Sequence, residues 1–162
     1  MKTLSGLLAE NNYPAFLKLV HSSKVHAVTE EDISSFLVDA PEDWKQTLFN
    51  VMAPSKRVEI EILRYSTPST ISLVKSRWGL YEESVHWAME NASDEVAEAL
   101  ILSMSERLDS EGEVLLLKRK NLELFKIYLQ KFNHLEEDAE RLINEDSSLS
   151  VLKSYYIDQQ ML

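Results

Sequence analysis

Apolar residues recur along the chain at i, i+3 and i+4, the spacing of one face of an α-helix. Short segments of this kind read Leu4-Leu7-Leu8, Ile33-Phe36-Leu37, Val85-Ala88-Met89 and Ala139-Leu142-Ile143. Val58-Ile62-Leu63 and Val114-Leu116-Leu117 follow the pattern slightly out of phase. Longer apolar segments lie between them. These hold Phe16, Leu19 and Val20; Trp44, Leu48 and Phe49; Ile71, Val74 and Trp78; Val96, Leu100 and Ile101; Leu124, Phe125 and Tyr128; and Val151, Leu152, Tyr155 and Tyr156. The chain therefore reads as short helices A alternating with longer helices B.

The helix starts are marked and evenly spaced. Thr67-Pro68 offers a hydroxyl at the N-cap and a proline at the first helical position, where its missing N–H does no harm. Pro14 and Pro41 fit the same slot, and the three prolines are 27 residues apart. Later B helices use Ser93, Asn121 and Ser147 or Ser148 instead. Among the A helices, Thr29 precedes Glu30-Glu31-Asp32, and Ser110-Glu111-Gly112-Glu113 has the spacing of a capping box. Six steps of 27 span the 162 residues.

Hairpins this short cannot bury their own apolar stripes, but stacked neighbours can. The pattern predicts an all-α fold: an α-solenoid of about six helical hairpins with a 27-residue period, one domain over residues 1–162. An irregular helical bundle is the alternative. The architecture resembles short α-helical solenoids of the broad HEAT-like kind, along the whole chain. The resemblance is architectural, because the period is shorter than that of HEAT, ankyrin or tetratricopeptide units and their consensus residues are missing. Trp44 and Trp78 occupy apolar positions on B helices and are expected between repeats.

Composition narrows the function classes. Gly and Pro together number seven, too few for the tight turns of an all-β fold. Cysteine is absent, which removes disulfides, thiolate metal sites and cysteine nucleophiles. No apolar run approaches the roughly 20 residues of a membrane span, and the N-terminus lacks the pattern of a signal peptide, so the expected location is cytoplasmic. The net charge of −10 opposes binding to a phosphate backbone and favours basic partners.

Candidate chemistry is sparse. His21 and His26 do not share a helical face, whereas Glu82, His86 and Glu90 could form an i, i+4 row on one helix. That row reads best as a solvated face, and no metal site is expected. The acidic clusters Glu30-Glu31-Asp32, Glu82-Glu83, Asp94-Glu95 and Glu136-Glu137-Asp138 fall at helix starts, where the helix dipole favours them. Phosphate loops, nucleophile elbows and metalloprotease motifs are missing. The expected protein is not an enzyme and carries no cofactor.

Two surfaces stand out instead. Lys18, Lys45, Lys126 and Lys153 keep the 27-residue step, with Lys75 displaced by a turn. Stacked B helices, roughly 8–10 Å apart, would align them in a lysine row. The C-terminal hairpin is expected to pack inward through Val151, Leu152 and Tyr155. Tyr156, Ile157 and Leu162 would then stay uncovered, a surface for self-association or partner binding. The sequence thus points to a non-catalytic protein-interaction module or adaptor that binds a protein along the B-helix face. The alternative is an acidic inhibitor of the immunity or antitoxin kind, masking a basic toxin or nuclease with its carboxylate-rich A ends.

Overall fold

A computed structural model describes residues 2–161. All regular structure among them is helical. There are twelve α-helices: α1 (Leu4–Ala9), α2 (Tyr13–Val20), α3 (Glu30–Asp39), α4 (Glu42–Val51), α5 (Lys56–Tyr65), α6 (Pro68–Trp78), α7 (Glu82–Asn91), α8 (Asp94–Ser103), α9 (Ser110–Lys118), α10 (Leu122–Phe132), α11 (Glu137–Glu145) and α12 (Ser150–Gln160). Odd-numbered helices are the A members and even-numbered helices the B members of successive hairpins. No described helix is long and apolar enough to cross a membrane.

The helices begin where side-chain oxygens can satisfy the amides that an α-helix leaves unpaired. Thr3, Asn12, Thr29, Ser55, Ser93 and Asn121 each accept from an amide in the first turn of the following helix. The proline slot is less regular than the count of 27 implies. Pro68 is the first residue of α6, but Pro14 is the second of α2, and Pro41 stands before α4 as its N-cap. Likewise Asp109, not Ser110, caps α9 through the Gly112 amide. The repeat is regular in length, while its caps drift by a residue.

Contacts gather into two compact units, one ending at Ser84 and one beginning at Val85. In the first, α1, α3 and α5 pack side by side as one layer, and α2, α4 and α6 form the other. In the second, α9 packs on α11, while α10 packs between α8 and α12. Each unit is thus a solenoid-like stack of hairpins with its core between the layers. Phe16, Phe36 and Trp44 centre the first core, with Phe16 stacked on Phe36 at 5.6 Å and tilted against Trp44 at 4.8 Å. Leu117, Phe125, Tyr128 and Ile143 are buried in the second.

Polar side chains bind successive repeats together. Asp32 of α3 accepts the Leu4 amide at 2.8 Å and the Ser5 amide at 3.1 Å, closing the start of α1. At the other helix ends, side-chain donors reach back one repeat to the last carbonyls. Trp78 Nε1 donates to Phe49 O at 2.6 Å, Lys131 Nζ to Ile101 O at 3.3 Å, and Gln160 Nε2 to Asn133 O at 2.9 Å. Orphan carbonyls at helix C-termini need such donors.

Three sequence expectations for the cores are corrected. Trp78 is 40% exposed, because it is the last residue of α6 and overhangs the end of α4. Tyr156 is buried, on a stripe with Leu149 and Leu152. Val151, expected inward, lies off that stripe and is exposed. Trp44 is buried, as its place in the pattern predicts.

Candidate functional site

The lysine row is broken within the first unit. Lys45 is 2% exposed, with its ammonium 2.8 Å from Glu42 Oε2 and 2.7 Å from Tyr65 O. It is an internal tie of the first unit, buried and not on the exposed face expected of it. Lys18 is exposed and edges a pocket of about 250 Å3 shared with Lys2 and Lys24, while Lys75 is half-buried. In the second unit, Lys126 sits over the Tyr155 ring at 5.4 Å and pairs with Glu123 at 3.7 Å. Lys153 Nζ lies 3.5 Å from Asn144 O. The helix starts drift, so equal spacing in the sequence does not give equal positions in the helices. Lys18 is the sixth residue of its helix, Lys45 and Lys153 the fourth, Lys75 the eighth and Lys126 the fifth.

The C-terminal patch shrinks too. The Tyr156 hydroxyl accepts from the Leu135 amide at 3.3 Å and donates to Glu140 at 2.7 Å, so Tyr156 is buried and bonded where an uncovered side chain was expected. Ile157 is exposed as expected, and Leu162 lies outside the described residues. His86 places Nε2 at 2.8 and 3.0 Å from the Asp109 carboxylate. A hollow of about 640 Å3 in the second unit is open and polar, and its Arg119 is engaged by Ala88 O, Met89 O and Asp94.

A different surface collects the groups that recognition needs, and it lies wholly within the first unit. A pocket of about 240 Å3 is lined by Ala53, Pro54, Glu59, Trp78, Gly79, Leu80 and Tyr81. Two consecutive links form its walls, α4 to α5 and α6 to α7. Gly79 shapes the second link. It ends α6 at φ +77° and ψ 176°, a conformation nearly confined to glycine. The chain then turns back and presents Trp78 and Tyr81 at one opening, 40% and 45% exposed. Arg77 stacks over the Trp78 ring at 5.3 Å, and Lys56 over the Tyr81 ring at 5.3 Å, so both faces already attract cations. Lys56 also pairs with Glu83 at 2.9 Å, which raises its pKa.

Glu59 is the unusual member. It is 2% exposed, yet no ion pair to it is found among the described residues. The Tyr81 amide donates to it at 2.7 Å, and the buried Ser84 hydroxyl is beside it. Burial pushes its carboxyl above the ordinary glutamate value, against the lowering effect of the Tyr81 amide and the neighbouring Ser84 hydroxyl, and the Glu83 charge adds to the rise.

The second unit shows the same position with its charge answered. Glu113 is the fourth residue of α9, as Glu59 is of α5. Each accepts the amide that precedes the next A helix, Glu136 N at 2.8 Å for Glu113. Glu113 also receives Arg107 Nη2 at 2.8 Å and the Tyr128 hydroxyl. Arg107 stands three residues before its helix, where the first unit has Ala53. Tyr128 is the seventh residue of α10, where α6 has Val74.

Sequence reasoning missed this site because Trp78 continues the stripe of Ile71 and Val74, and Glu59 resembles any polar residue of an exposed helical face. One signal was readable: Gly79, directly after Trp78, ends the helix just where the indole would need further neighbours. Searches of protein-family models, curated proteins and solved structures match the chain to nothing.

Proposed function

We propose that the protein is a non-catalytic interaction module that docks a protein partner on the aromatic pocket of its first unit. The observation that carries this reading is the pairing of Trp78 and Tyr81, both substantially exposed, around one concave site. Tryptophan, tyrosine and arginine are the residues most enriched in interface hot spots, since they bring large contact area at low entropic cost. An isolated exposed aromatic has little meaning, but two around a pocket with a buried carboxylate form a docking geometry. The net charge of −10 favours a basic partner.

The test is affinity purification from the cells of origin with quantitative mass spectrometry. Wild type is compared with the double variant Trp78→Ala, Tyr81→Ala and with a control, Val38→Ala, which trims another exposed apolar residue of the first unit. A partner recovered by wild type and by the control, and lost with the double variant while the helical melting transition is kept, supports the reading. Equal recovery with the double variant rules out this surface.

A further inference from the structure

The first unit buries a carboxylate in the setting that the second unit completes with an arginine. Burying an unpaired charge is expensive, and buried charges are normally paired. The buried Lys45 of the first unit follows that rule, since it has the carboxylate of the partly exposed Glu42 at 2.8 Å. Glu113 follows it with Arg107. Glu59 departs from it. The arginine position is held by Ala53, which lines the pocket, so the space a guanidinium uses beside Glu113 is open beside Glu59.

We infer that the pocket of the first unit receives an arginine side chain of the partner, its guanidinium pairing with Glu59 as Arg107 pairs with Glu113. This rests on the docking reading above and names what that surface recognises. The size agrees. At about 240 Å3 the pocket falls below the roughly 300–1,000 Å3 of small-molecule sites, which suits one side chain better than a cofactor. The chemistry agrees as well. A planar guanidinium pairs with a carboxylate in a fork, stacks on aromatic rings and is weakly hydrated, so it enters a half-buried site at less cost than an ammonium. Trp78 and Tyr81 supply the rings. Lys56 and Arg77 are the nearby competing cations; Glu83 engages Lys56, and Arg77 covers one face of the Trp78 ring, which leaves the other face for the partner.

The probe is N-acetyl-arginine amide, followed by 1H–15N NMR on the full chain, with N-acetyl-citrulline amide as its uncharged isostere. Two reporters sit at the site: the Trp78 indole N–H and the Tyr81 amide, which is bonded to Glu59. Arginine amide should produce saturable shifts at both, and citrulline amide should bind at least about tenfold more weakly, a difference of ~1.4 kcal/mol. Glu59→Gln keeps the shape and should lose the response by a similar factor. Ala53→Arg places a guanidinium in the pocket from within. It should raise the melting temperature and abolish binding of the probe. Absence of saturable shifts, equal response to citrulline amide, or an unchanged response in Glu59→Gln overturns the inference. The two readings fail separately. If Trp78→Ala, Tyr81→Ala loses the partner while Glu59→Gln and Ala53→Arg keep it, the docking surface stands and the arginine assignment falls.

Discussion

Trp44 and Trp78 occupy similar places in the hydrophobic pattern and have opposite roles. Trp44 packs on Tyr13 at 5.2 Å and on Phe16 at 4.8 Å in the middle of a stack. Trp78 ends its helix and holds one hydrogen bond, to Phe49 O. Trp44→Ala should therefore cost about 3–5 kcal/mol, the range for removing a core aromatic. Trp78→Ala should cost about 1–2 kcal/mol, from one hydrogen bond and partial burial. Urea unfolding of both variants checks this, and similar losses for the two would mean that Trp78 is a core residue. Residue identity was legible wherever the pattern continued on both sides of a position, as at Ile33, Phe36 and Leu37. It failed at helix ends, because a stripe read from spacing does not reveal where the neighbouring helix stops. Tyr155 and Tyr156 failed differently: a start at Ser150 turns Tyr156 inward and Tyr155 partly outward.

At the level of elements, carboxylates at helix starts also join one repeat to another. Glu42, at the start of α4, accepts the Thr67 amide at 2.7 Å and the Thr67 and Thr70 hydroxyls at 2.9 Å each, and so fastens the start of α6. Burial alone pushes its carboxyl up, but Lys45 and the threonine donors outweigh this and hold it below its ordinary value. The sign follows from linkage. An acid whose pKa is lower folded than unfolded stabilises the fold above its unfolded value of about 4.3, and that stability is lost as pH falls through the folded value. Glu42→Gln should be less stable than wild type at pH 7, and the difference should narrow below pH ~4. Denaturation at the two pH values tests this, and a gap that stays constant or widens in acid would contradict it. The helices and most of their caps were readable from local chemistry. The latches were not, since a residue such as Asp32 or Glu42 satisfies its own helix dipole and the neighbouring repeat with the same side chain.

At the level of the whole molecule, the chain is an array of helical hairpins that gathers into two compact units. The array was legible because the period recurs along the full sequence. The proposed docking surface was not, because it arises where one repeat departs from another. The third repeat keeps the buried glutamate of the fifth but carries Ala53 and Val74 in place of the arginine and the tyrosine. Equal sequence spacing, by contrast, suggested a lysine row that the burial of Lys45 already breaks within the first unit. The central claim is that partners dock at this departure in the first unit and not at the C-terminal end. It is tested most directly by photo-crosslinking in the cells of origin, with p-benzoylphenylalanine in place of Tyr81 in one sample and of Ile157 in another. The account predicts a partner adduct from position 81 and none from position 157. An adduct from position 157 alone would contradict it.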